Sequence, residues 1–232
     1  AGPVVQFLDS LLDITGPGDA ANLEVSILRM RVLLRAIHEV DPHYVYQSIS
    51  PPGGLTEMSW QARANVIQGL QGDLAAAIYR VRGDIKPLQE VTLEFMQRAT
   101  NEAYDEAVKK YDAGDLDDRL PRQLAIGRCV DGEVRRQLRQ FYANLGISAD
   151  RGSAIRVNGR AYDTSASPPS YRVPDARVGN FAFDVSLEAK KPSKSQIRDF
   201  FDADFKPIGV VIVRPNQLGS NSSYVIWRTD GE

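Results

Sequence analysis

The feature that most constrains this chain is a change of period. Up to about residue 145 apolar side chains recur every three or four positions. Beyond Gly146 they alternate, and residues 208–214, IGVVIVR, form a continuous apolar run between two prolines. A three-to-four period is that of a helix with one buried face, whereas alternation is that of a half-buried strand. A short continuous run bounded by breakers suits a central strand covered on both faces. The chain is therefore expected to be α/β: an N-terminal helical region followed by a mixed β-sheet flanked by helices.

Within the helical part, Leu23, Ile27, Met30, Leu34 and Ile37 place a helix over 21–40, with Asp19 or Asn22 as its cap. Pro42, Pro51, Pro52, Gly53 and Gly54 make 41–57 a loop. A second helix is expected over 58–82, with Trp60, Ala64, Ile67, Leu74 and Ile78 on one face and Gly83 as its end. A third covers 85–111, where Pro87 falls in the first turn. The acidic stretch 113–121 reads as a boundary, giving a helical region at 1–118 and a second domain at 119–232. A helix over 122–145 follows, possible breaks being Gly127 and Gly132 and the stop Gly146. Asn158-Gly159 predicts a hairpin within 153–163. Strands are expected at 170–178, 181–190, 208–214 and 223–228, with a short helix over 193–204 capped by Ser193 or Ser195.

Charge divides unevenly at that boundary. Residues 1–118 hold 10 basic against 18 acidic side chains, net -8, and residues 119–232 hold 18 against 12, net +6. The basic half is the one expected to meet phosphates. No stretch is apolar enough to span a bilayer, and the first residues lack the basic and apolar regions of a signal peptide. Cys129 is the only cysteine, so no intrachain disulfide can form, and it is expected to be a small buried side chain. With His38 and His43 as the only histidines, a zinc site of nitrogen and sulfur ligands is not expected, and any metal should be a hard ion held by oxygen. Both histidines are expected to be structural.

The chemistry concentrates in 174–190. On a strand over 181–190, Ala182, Asp184, Ser186, Glu188 and Lys190 share a face, and Glu188 and Lys190 stand ~6.7 Å apart. Gly179-Asn180 turns the chain back so that Asp175, after Pro174, comes beside Glu188. Adjacent carboxylates repel unless a cation lies between them, and Mg²⁺, or Mn²⁺, suits that oxygen-rich environment. Lys190 would then orient a water or neutralise a phosphate undergoing attack. The competing reading is a surface hairpin with a cross-strand salt bridge.

Pro174-Asp175 with Glu188-Ala189-Lys190, followed by a helix and a buried strand, resembles the PD-(D/E)xK nuclease superfamily over roughly residues 120–232. The resemblance implies a metal-dependent endonuclease with Asp175, Glu188 and the Ala189 carbonyl on the metal and Lys190 supporting the attacking water. It also implies an acidic residue from the preceding helix, Glu133 first and Asp131 second; Glu133 could equally be a surface partner of Arg136 or Gln137. The segments GRCVDGEVRRQL, VNGRAYD, YRVPDARVGNFAFDVSLEAK and IGVVIVRPNQLG resemble the C-terminal nuclease domains of bacterial polymorphic toxins. These are the tips of Rhs, contact-dependent-inhibition and type VI secretion effectors. That implies delivery into a target-cell cytoplasm and a cognate immunity protein. DNA is the expected substrate and RNA the alternative, with a non-catalytic binding module as the third reading. Arg128, Arg135, Arg177, Lys191, Lys194 and Gln196 are the candidate substrate-binding side chains. Phe200, Phe201, Phe205 and Trp227 are expected to be packing.

Overall fold

The computed structural model describes residues 23–47, 58–219 and 223–229. The proposed caps Asp19 and Asn22 and much of the 41–57 loop lie outside them. The fold is α/β, with five helices, a mixed five-stranded sheet and a two-stranded ribbon among the described residues. It divides into two compact units, 1–84 and 85–232.

The first unit pairs α1 (Leu23–Val40) with α2 (Trp60–Arg82). Met30, Leu33, Ile37 and Val40 pack on Ile67, Leu70, Leu74 and Ile78, as a three-to-four period requires. Trp60, expected on the buried face, is 50% exposed. Ser59 caps α2 by accepting from the Ala62 amide, and Gly83 ends it at φ 70°, a conformation that costs a glycine little. His38 lies edge-on to Tyr44.

The second unit begins with α3 (Lys86–Asp112) and α4 (Arg122–Asn144), which pack on each other. Phe95 stacks on Phe141 at 4.4 Å, and the buried hydroxyls of Thr92 and Tyr142 lie 2.6 Å apart. The boundary expected at 113–121 therefore needs correcting: that stretch links two helices of one unit, and the division falls after Asp84. The charge contrast dissolves with it. Residues 1–84 hold 6 basic against 9 acidic side chains, net -3, and 85–232 hold 22 against 21, net +1. Gly127 and Gly132 do not interrupt α4, and Gly146, at φ 64°, follows its last turn.

The sheet runs β1 (Ile155–Val157), β4 (Ala176–Val178), β5 (Phe181–Val185), β6 (Gly209–Val213), β7 (Tyr224–Trp227). Only β5 and β6 are parallel, joined through α5 (Ser195–Asp202). Every residue of β6 is buried, as its unbroken apolar run demands. Ile197 and Phe200 of α5 pack on Ala182, Val210, Ile212 and Ile226, with Phe201 and Phe205 at the margin. Trp227 is 59% exposed and meets Phe181 edge-on.

Three local expectations change. Asn158-Gly159 does not close a hairpin: β1 pairs with β4, while β2 (Ala161–Asp163) pairs with β3 (Ser170–Arg172) as a separate ribbon. The apolar side of β1, Ile155 and Val157, is buried by pairing there, which no turn within 153–163 achieves. The strand expected over 170–178 splits into β3 and β4 around Pro174, which has no amide to donate. Finally, α5 starts from Lys194 with no side-chain cap from either serine.

Candidate active site

The strand expected to run to Lys190 stops at Val185. The hydroxyl of Ser186 takes the Glu188 amide (3.2 Å) and donates to the Glu188 carbonyl (2.8 Å), bending the backbone out of the ladder. The neighbouring β6 also ends, at Val213, two residues before Pro215. Glu188 is consequently carried away from Asp175. Its side chain is 63% exposed and lies 3.5 Å from Lys194. Ala189, the expected carbonyl ligand, is exposed on the same bend. The convergence of Asp175 with Glu188 is thus corrected.

Asp184 stands where Glu188 was expected. The Gly179-Asn180 turn pairs Val178 with Phe181, Arg177 with Ala182 and Ala176 with Phe183. One step further along this register Asp175 faces Asp184. Both carboxylates are buried, at 2% and 4% exposure. Asp175 accepts from the Arg135 Nε at 2.6 Å and from the Val185 amide at 2.7 Å. Asp184 accepts from Lys190 and, at 3.0 Å, from Gln196 Nε2. Lys190 also donates to Gln196 Oε1 at 2.9 Å. The loop after β5 thus folds Lys190 back onto Asp184, and the Tyr224 hydroxyl holds the Lys190 backbone at both amide (2.6 Å) and carbonyl (2.8 Å).

The third acid comes from α4. Asp131 and Arg135 are one turn apart, 3.8 Å between charged atoms, and Arg128 precedes them on the same helix face. Burial pushes Asp131 up to about 7, and the Asp175 charge adds to the rise. Burial likewise raises Asp184, to about 6, against the lowering effect of Lys190. Burial also raises Asp175, although Arg135 opposes it. Burial works against the Arg135 guanidinium, but Asp175 and Asp131 together hold its pKa above the ordinary value. Three acids, Asp175 and Asp184 buried and Asp131 half-buried, face two cations, Arg135 and Lys190, an excess of one negative charge that favours either a shared proton or a further cation.

Glu133 is not part of this cluster. Its carboxylate takes hydrogen bonds from Arg136 (2.6 Å) and Gln137 (2.8 Å), which hold it down at about 2. Among the other expected substrate-binding residues, Arg135 and Gln196 are inside the cluster. Arg177, on β4, is two residues after Asp175, its guanidinium 4.5 Å from the Phe205 ring centre. Arg128, Lys191 and Lys194 are exposed. Cys129 is partly exposed.

Among the described residues no three His, Cys, Asp or Glu side chains are placed as a metal shell. The pair Asp175 and Asp184 nevertheless suits a hard ion. Each carboxylate accepts two bonds out of roughly four lone-pair positions. Mg²⁺ is commonly held by one or two carboxylates, with water and substrate oxygen completing its shell.

Asp184 was legible from the two-residue turn, by counting outward from it. Tyr224 and the choice of Asp131 over Glu133 had no such local signal. No helix among the described residues is long and apolar enough to cross a membrane. Comparison with protein-family models, curated proteins and solved structures finds no match to this chain.

Proposed function

We propose that the Asp175–Asp184–Lys190 cluster is the active site of a metal-dependent phosphodiesterase, an endonuclease acting on DNA. The observation that carries this is the facing of two buried carboxylates, Asp175 just before β4 and Asp184 on β5, with the Lys190 ammonium bonded to Asp184. In this reading Asp175 and Asp184 hold Mg²⁺ or Mn²⁺, which supplies Lewis-acid polarisation of a phosphate oxygen. Lys190, oriented by Gln196, stabilises charge developing on the phosphate. Arg135 holds Asp175 in place and opposes the rise that burial imposes on its pKa. The resemblance to polymorphic-toxin nuclease tips extends the proposal to an antibacterial effector, delivered into a target cell and neutralised by an immunity protein.

The test compares cleavage of plasmid and of a single-stranded DNA in Mg²⁺ or Mn²⁺ by wild type, Asp184→Asn and Glu188→Ala. Asp184→Asn should lose at least ~100-fold in rate, the scale of a lost electrostatic contact in a transition state, while Glu188→Ala stays near wild type. Equal activity in the Asp184 variant overturns the assignment.

A second reading rests on how fully the network is satisfied. Every oxygen of Asp175 and Asp184 already has an internal donor, as in a rigid polar core of a binding or assembly module. Calorimetric titration with Mg²⁺ and Mn²⁺ separates the two: no binding supports the module, and binding abolished by Asp184→Asn supports the hydrolase.

A further inference from the structure

Two arginines stand directly opposite each other on the sheet. The pairing of β1 with β4 places Arg156 against Arg177. Like charges facing across strands destabilise a sheet. Neither has a carboxylate at ion-pair distance among the described residues. Both are half-buried. Arg177 donates to the Gly179 carbonyl at 3.2 Å. The Arg156 guanidinium lies over Gly159, where an added Cβ would come within 2.7 Å of Nε. The pair is a local excess of positive charge; Arg177 is two residues after Asp175, whose carbonyl continues the β1–β4 pairing by accepting from the Asn158 amide, and alternate residues of an extended segment share a face.

The β2–β3 ribbon supplies the second observation. Tyr162 and Tyr171 face each other in its register, ring centres 5.9 Å apart, and are 41% and 43% exposed. Arg160 lies 4.5 Å over the Tyr171 ring. The ribbon is tied to α5 and the turn after it: Arg172 pairs with Asp199, and the Asp204 amide donates to the Tyr162 carbonyl at 2.7 Å. Asp199 is one helical turn from Gln196 of the acid cluster. Exposed aromatic rings interleaved with arginine form a surface on which unstacked bases lie, a surface that a duplex, with its bases stacked inside, cannot use.

We infer that the substrate of the acid cluster is single-stranded nucleic acid, a phosphate seated between Arg156 and Arg177 and a base stacked on Tyr162 and Tyr171. This rests on the hydrolase reading above. Fluorescence anisotropy with the full chain in chelator measures binding to a labelled single strand, as DNA and as RNA, and to the matching duplex. The strand should bind roughly tenfold tighter than the duplex. Combined Tyr162→Ala and Tyr171→Ala should weaken strand binding roughly tenfold, whereas the paired Phe substitutions, which keep the rings, should restore it. Arg156→Ala should reduce the salt slope by about one. Both tyrosines are exposed, and matching melting curves would show that the variants remain folded. Duplex binding as tight as the strand, or Ala variants binding like wild type, overturns the inference. Cleavage on the same samples separates the two readings. Strand binding without Asp184-dependent cleavage retires the hydrolase and leaves a binding surface; cleavage with the Ala variants unaffected retires the platform alone. The DNA and RNA arms identify the sugar.

Discussion

A single hydroxyl, on Tyr224, accepts from the Lys190 amide and donates to the Lys190 carbonyl. Lys190 sits in a loop without ladder bonds, so these two contacts position its side chain over Asp184. Tyr224→Phe removes both and leaves two backbone groups without that partner. The cost should be about 1–2 kcal/mol in denaturant unfolding. Cleavage should fall roughly tenfold with the metal requirement unchanged, because the ammonium loses its fixed aim. An unaltered rate would show that Lys190 is positioned by Asp184 and Gln196 alone. The same residue shows why the site was only partly readable. Asp175 and Lys190 were visible as an acid and an amine on neighbouring strands. The bend that exchanges Glu188 for Asp184 depends on the Ser186 hydroxyl choosing local backbone partners over the ladder, a competition decided by where β6 ends.

At the scale of elements, α3 carries an acid whose ionisation works against the fold. Burial pushes Glu94 up to about 7, and Glu90 adds to the rise. A carboxyl whose folded pKa exceeds its ordinary value of 4.5 binds its proton more tightly in the folded chain. Its contribution is fully present below pH 4.5 and is lost as pH rises towards 7. Glu94→Gln should therefore gain on the order of 1 kcal/mol over wild type at pH 8, after discounting for the solvent that still reaches the side chain. At pH 4 the two should match. Thermal melts across this range check it; a difference that is constant with pH excludes Glu94 as the source. Helix ends followed local chemistry: Gly83 and Gly146, both at positive φ, lie where they were expected. Strand partners did not, since an Asn-Gly turn is compatible with a hairpin or with a passage between two sheets.

For the whole molecule, the position of α3 sets what can stand alone. Leu88, Val91, Phe95, Met96 and Ala99 are buried, and Phe95 stacks on Phe141 of α4. A chain of residues 85–232 should unfold cooperatively, as followed by circular dichroism. One of residues 119–232 should be insoluble or lack a thermal transition, because it exposes the face of α4 that α3 covers. Folding of the shorter chain would restore the boundary drawn from composition. By itself the sequence determined the helical segments, the change to strands beyond Gly146 and the buried character of β6. Period, caps and residue type act within a few positions of one another. Tertiary structure alone decided that α3 belongs with the sheet, that β1 joins β4, and that Asp131, Asp175 and Asp184 meet. An apolar face or a buried charge fixes that it must find a partner, and packing between distant segments selects which one.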